Sequence, residues 1–261
     1  METFEQIALR ESAATDLEFV GDFLPIRERI FINWGLRLET IRVKNGFNLD
    51  LGVEVFRSFL PPIDFEYLPA VGFMPLVEEN INIYGNHSKF DLQIQVQGVE
   101  KHGTIAPGPM AELIYADIVE AIQGPVWSLG FDSGGIFKAT VGKYIIGQTS
   151  KATGYIAGVS VTSGAWADQD AAGTLTLRRV TGDFIDDEPL DIGSNDDVAT
   201  VDGAASARSA LKTPGGPLID AIDVLSAKPE FPTQGQLSTG VNIVFGVEYK
   251  RVAGNPYSQT N

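Results

Sequence analysis

The chain has 261 residues, enough for one large domain or two modest ones that bury a real core. Its apolar fraction of 44% and charged fraction of 20% exclude wholesale disorder. A formal charge of −15 argues against a protein that grips nucleic-acid phosphates, and the absence of Cys removes disulfides, thiolate nucleophiles and Cys-ligated metals.

Residues 1–25 read as a polar lead-in, with Phe19, Val20, Phe23 and Leu24 as anchors. Glu2, Glu5 and Arg10 interrupt any apolar run there, so neither a signal peptide nor a membrane span is expected. Ile26, Ile30, Trp34, Leu38 and Ile41 then recur at spacings of four and three, which predicts a helix with one buried face. Strand candidates follow at Gly52–Phe59, closed by Pro61-Pro62, and at Leu68–Val77, where Pro75 implies an edge or a bulge. Asn80, Asn82, Gly85 and Asn86 predict a polar hairpin tip between Glu78 and His87.

The clearest pattern runs from Ser88 to Val99. Phe90, Leu92, Ile94 and Val96 alternate with Asp91, Gln93, Gln95 and Gln97, placing apolar groups on one strand face and polar groups on the other. The polar face is either a solvated sheet surface or a wall along which subunits or a polar polymer pass. Pro107 and Pro109 precede a predicted second helix that ends near Gln123-Gly124, its apolar stripe Met110, Leu113, Ile114, Ile118 and Ile122, its wet face Glu112, Asp117 and Glu120.

After Gly124-Pro125 the texture turns to Gly, Ala, Thr and Ser, with short alternating runs at Tyr155–Val161 and Thr174–Leu177 that predict a small all-β module. An acidic segment from Asp183 to Asp202 lies within it. Leu218–Leu225 fits a strand or a short helix. Val241, Ile243, Phe245, Val247 and Tyr249 predict a last strand, whose best partner lies more than 140 positions earlier in the 88–99 stretch. The expected fold is therefore α+β, a mixed or antiparallel sheet packed with two helices, with a small β domain at 130–213 inserted into a core of 1–129 and 214–261.

Signals for chemistry are sparse. His87 and His102 are the only near-neutral titrating side chains, and both read as exposed loop residues. No zinc-protease, nucleophile-elbow or phosphate-loop spacing occurs, so no enzyme, cofactor or metal site is expected. Asp186-Asp187-Glu188 lacks the calcium-loop pattern and reads as a solvated turn. Trp34, Trp127 and Trp166 read as core or interface anchors.

The order of elements carries a resemblance. A helix precedes a strand ending in Phe59-Leu60-Pro61-Pro62; the strands at Leu68-Pro69-Ala70-Val71 and Lys89–Val96 and the helix at Glu112–Ile122 follow. Far downstream come Val241–Tyr249 and Gly254-Asn255-Pro256-Tyr257-Ser258. Over Ile26–Gln123 and Pro214–Ser258 this resembles the tail terminator, or tail-completion, proteins of long-tailed bacteriophages. Gly154–Leu190 is similar to small β modules of phage structural proteins, which typical terminators lack.

The resemblance implies a virion protein assembled in the host cytoplasm, with no membrane. It implies a ring, of six subunits in this family, that caps the tail tube protein and meets the head completion or connector protein. Phage DNA would pass through the lumen without specific binding. Candidate subunit contacts are Glu78, Glu79, Asn82, Tyr84, His87, Lys89, Tyr249, Arg251 and Tyr257; the candidate lumen or polar face is Asp91, Gln93, Gln95 and Gln97. The alternatives are a head–tail adaptor, neck or collar protein, or a virion protein carrying a carbohydrate-binding β module with Trp166 as its platform.

Overall fold

The computed structural model describes residues 24–57, 65–85, 87–101, 103–208, 212–213, 216–217, 219–231 and 238–256. Phe19, Val20, Phe23, Phe59 to Pro62, Asn86, His102 and Tyr257, and the side chains of Asn82 and Tyr84, lie outside that description. In chain order the elements are α1 (Ile26–Glu39), β1 (Glu54–Arg57), β2 (Ala70–Tyr84), β3 (His87–Lys101) and α2 (Pro107–Gln123). Next come β4 (Val126–Gly134), β5 (Tyr144–Gly147), β6 (Thr153–Ser163), β7 (Ala171–Thr181), β8 (Pro189–Ile192), β9 (Asn195–Val201) and β10 (Ser206–Arg208). The short β11 (Lys212–Thr213) and β12 (Gly216–Pro217) precede β13 (Ala221–Glu230) and β14 (Ser238–Val252).

The chain divides into two compact units. The first takes residues from 1–42, 48–123 and 211–261, and the second takes 43–47 and 124–210. An α+β description holds for the first unit, where two helices accompany a five-stranded sheet of order β1-β2-β3-β14-β13.

The long-range strand pairing is present. β14 lies antiparallel against β3 along its whole length, from Ser238 opposite Lys101 to Val252 opposite His87. Tyr249 stands opposite Phe90, Val247 opposite Leu92, Phe245 opposite Ile94 and Ile243 opposite Val96, all buried. Two period-two patterns, matched in phase, thus build one continuous apolar face, and each large side chain fully removed from water contributes about 1.5–3 kcal/mol.

The helices use that face. Ile26, Ile30, Trp34 and Leu38 of α1 are buried, and Trp34 meets Phe245 edge to face at 5.2 Å between ring centroids. Ile26 N–H donates to the Pro256 carbonyl at 2.9 Å, which ties the start of α1 to the end of the described chain. On β3 the apolar series continues through Gly98, where a Cβ would stand 2.7 Å from both Ile114 and Ile118 of α2. Glycine at that position lets α2 lie against the strand.

One local choice closes and two expectations change. Of Leu218–Leu225, open in sequence between strand and short helix, Ala221 to Leu225 form the start of strand β13, with Ile219 and Asp220 preceding it. The polar stretch 78–84 is paired strand rather than loop, because Glu78 to Tyr84 pair along β3 with Leu92 to His87; of the connecting turn, Gly85 is the described residue. Asp117 is not on a wet face. It is fully buried, since α2 turns it toward Asn48 and Leu49, whose N–H groups it accepts.

In the second unit β4-β7-β6-β5-β8-β9 pair in sequence, and β9 returns to β4 through Phe131–Val201 and Asp132–Thr200. The ladder therefore closes on itself as a small barrel, with β10 on the other stretch of β4. Closure removes open edges, and inward side chains fill the lumen. Leu129, Phe131, Ile145, Ile156, Leu175, Leu177, Leu190, Val198 and Val201 are that filling.

Candidate functional site

The face of the five-stranded sheet opposite the apolar series carries Asp91, Gln93, Gln95 and Gln97 of β3. The strand register adds Glu248, Val244 and Asn242 of β14, Glu79 and Met74 of β2, and Asp223, Lys228 and Glu230 of β13. On β3 and β14 these follow from one rule, that once Phe90 points at the core every second residue must point away; on β2 and β13 bulges shift the phase, and the pairing register assigns the face.

These groups bond to one another. Gln95 Nε2 donates to Asn242 Oδ1 at 3.0 Å, and Gln97 Nε2 donates to Glu230 Oε2 at 2.7 Å. Asn242 Nδ2 donates to the second oxygen of Glu230, so the carboxylate gathers both amides across β3, β14 and β13. Lys89 pairs with Glu248 at 2.6 Å and Lys250 with Asp220 at 3.0 Å. The result is a stiff polar lattice rather than a set of independent solvated side chains. Gln97, placed on the polar face, is nonetheless buried, because Glu230 and Asn242 close over it.

The candidate contact residues divide. Glu79 and His87 are exposed, and Lys89 is half-buried in its pair with Glu248. Tyr249 is a correction: it is fully buried, stacked on Phe90 at 5.4 Å, with its hydroxyl donating to Glu78 Oε1 at 2.6 Å. Its position in the apolar series of β14 is what buries it. Burial, reinforced by the Glu78 carboxylate, raises the pKa of that phenol.

Glu78 is likewise engaged within the chain. It accepts from Arg27 at 2.8 Å and has Arg251 at 3.8 Å, and the Arg251 guanidinium lies 3.8 Å over the Phe90 ring. Asn82 and Tyr84 take part through backbone pairing, opposite Lys89 and His87.

The acidic segment behaves as structure. Glu188 is buried; Ser150 N–H and Oγ, Thr149 N–H and Ile185 N–H all donate to its carboxylate. Burial alone would raise its pKa, but these hydrogen bonds outweigh that cost and lower it. Asp186 accepts from Gly203 N–H at 2.7 Å. Among the described residues no group of three or more His, Asp or Glu is placed to hold a metal ion. Trp166 stacks on Phe131 at 5.3 Å against the barrel core, so one face of the ring proposed as a sugar platform is already covered.

Sequence reasoning missed Glu230, Asn242 and Asp220. Their parity relative to the apolar series of β14 was visible for Asn242; Glu230 lies past a bulge at Leu225, where a simple alternation loses phase. Among the described residues no helix is long and apolar enough to cross a membrane. No family model matches the chain, and no curated protein matches it.

Proposed function

We propose that this chain is a ring-forming structural protein of a phage virion, acting as a tail terminator. It would cap the tail tube and meet the head-side connector, with DNA passing through the lumen. The observation that carries the reading is the β3–β14 pairing, which brings the two separated parts of the resemblance into one sheet. That sheet presents a cross-linked lattice of amides and carboxylates with Lys89, Lys228 and Lys250 interspersed, a surface that offers phosphates few uncompensated cations.

The function on this reading is mechanical. A rigid polar wall keeps its shape while a polyanion moves past, and the net charge of −15 disfavours adhesion. The second unit, a closed barrel, supplies a surface for a neighbouring collar protein or for the host.

Negative-stain electron microscopy and native mass measurement of the purified chain test the reading. Rings of one defined symmetry with an open centre are expected, together with no retention of duplex DNA at about 0.15 M salt. A monomer at every concentration, or tight DNA retention, defeats it.

A further inference from the structure

Two edges of the five-stranded sheet are unpaired among the described residues. β1 covers β2 only from Ala70 to Phe73, which leaves the stretch to Tyr84 paired on one side, and β13 ends the sheet at the other side. Exposed apolar side chains gather on both edges: Leu76, Val77 and Ile81 on β2, and Leu225 on β13. Such edges invite another strand.

We propose that copies of this chain join through these two edges, the outer edge of β2 beyond Phe73 in one protomer pairing antiparallel with β13 of the next. This rests on the ring reading and names the contact that would build the ring. Direction is the first argument. β2, β3, β14 and β13 alternate strictly, so β13 runs opposite to β2. Protomers that all point the same way along a ring axis therefore continue the antiparallel alternation across each junction.

Register is the second. Val77 and Glu79 lie on the polar side of β2, with Asn82 and Tyr84 at the register positions opposite Lys89 and His87, and Lys228, Ser226, Asp223 and Ala221 lie on the polar side of β13. Val77 opposite Lys228, Glu79 opposite Ser226, Asn82 opposite Asp223 and Tyr84 opposite Ala221 keeps every residue on its face. The same alignment uses both strands to their ends. It sets the bulge at Ile81 next to the bulge at Leu225, and Pro75 opposite Pro229 where the ladder stops. Prolines, which have no N–H to donate, thus fall at the margin rather than within the junction. Glu79 and Lys228 become diagonal neighbours of opposite charge.

Closure is the third. Within one protomer Tyr84 is level with Val252 and Ala221 with Glu248, so the junction needs a stagger of four residues. That is about 14 Å over four strands spanning about 19 Å, a strand tilt of about 35°, within the range that closes sheets into barrels. A two-fold pairing of β2 with β2 would instead stop at a dimer.

The chain has no Cys, so disulfide trapping reads the contact directly. Glu79→Cys/Ser226→Cys should give, under mild oxidation, a ladder of covalent oligomers ending at the ring size. Within a chain those positions are three strand spacings and four residues of register apart, about 20 Å, too far for a disulfide. Each single variant should give none.

In parallel Leu76→Lys/Ile81→Lys, at exposed positions, should raise the concentration for half-dissociation at least tenfold with an unchanged circular dichroism spectrum. A ring that neither cross-links nor responds to the lysines overturns the edge contact and leaves the ring reading standing. A dimer trapped by Glu79→Cys alone overturns it in favour of two-fold pairing. The absence of any oligomer in the parent chain overturns both.

Discussion

At the scale of single residues, the buried carboxyls of Asp117 and Glu188 show how similar hydrogen bonding gives opposite outcomes, the first raised in pKa and the second lowered. Asp117 takes the Asn48 and Leu49 N–H groups and the Asn48 amide, yet burial dominates, assisted by Glu120, and its pKa is raised. Asp117→Ala should strand those N–H donors and cost about 3 kcal/mol in urea unfolding, while Asp117→Asn keeps part of the acceptor capacity and costs less. The buried Tyr249 hydroxyl is a smaller case. Tyr249→Phe preserves the stack on Phe90 and leaves Glu78 to Arg27, so a loss of about 1.5 kcal/mol is expected by the same measurement. Neither partnership was legible in the sequence, because Asp117 sits one helical position from the apolar stripe and its partners lie 68 and 69 residues earlier. A pattern of polarity along one element does not say what the neighbouring loop will present to it.

At the scale of elements, legibility followed period and length. α1, α2, β3 and β14 were readable because each repeats its apolar spacing several times, and the β3–β14 partnership followed from two long strands each needing a neighbour. Closure of the barrel was not readable, since short strands separated by turns specify a β module without specifying which first and last strands meet. Pro75 marked an edge or a bulge in the sequence, and β2 shifts register beside it at Leu76; the bulges at Ile81 and Leu225 were invisible, because an extra residue shifts phase, and the pattern before it says nothing of the pattern after it. Gly98 was readable only as an interruption, although it occupies a position of the apolar series and makes room for α2. Gly98→Val should collide with Ile114 and Ile118 and destabilise the first unit by about 2–3 kcal/mol, an overpacking cost. Adding Ile118→Ala should recover part of that loss, since it empties the space the new side chain needs; no recovery would mean that the glycine serves the strand backbone instead.

At the scale of the whole molecule, the shifted carboxyls of the two units run in opposite directions. In the first, the pKa values of Asp117 and Glu100 are raised by desolvation. Their folded-state values exceed the unfolded ones, so the ionised groups cost stability at neutral pH, and that cost is relieved as pH falls through the folded values. In the second unit Glu188 is lowered: it contributes stability above its unfolded value, near 4.3, and loses it as pH falls through the still lower folded value. The tryptophans separate the two responses, for Trp34 lies in the first unit and Trp127 and Trp166 in the second. A Trp34→Phe chain therefore reports the barrel, and a Trp127→Phe/Trp166→Phe chain reports the helix-and-sheet unit. Thermal scans followed by fluorescence between pH 7 and about 3.5 should show the barrel transition falling faster than the other. Glu188→Gln, which cannot lose a proton, should start less stable at pH 7 and then lose little more on acidification. If the Trp34 signal fails first, or if Glu188→Gln keeps the full acid sensitivity of the parent barrel, the hydrogen-bonded carboxylate is not what stabilises that unit.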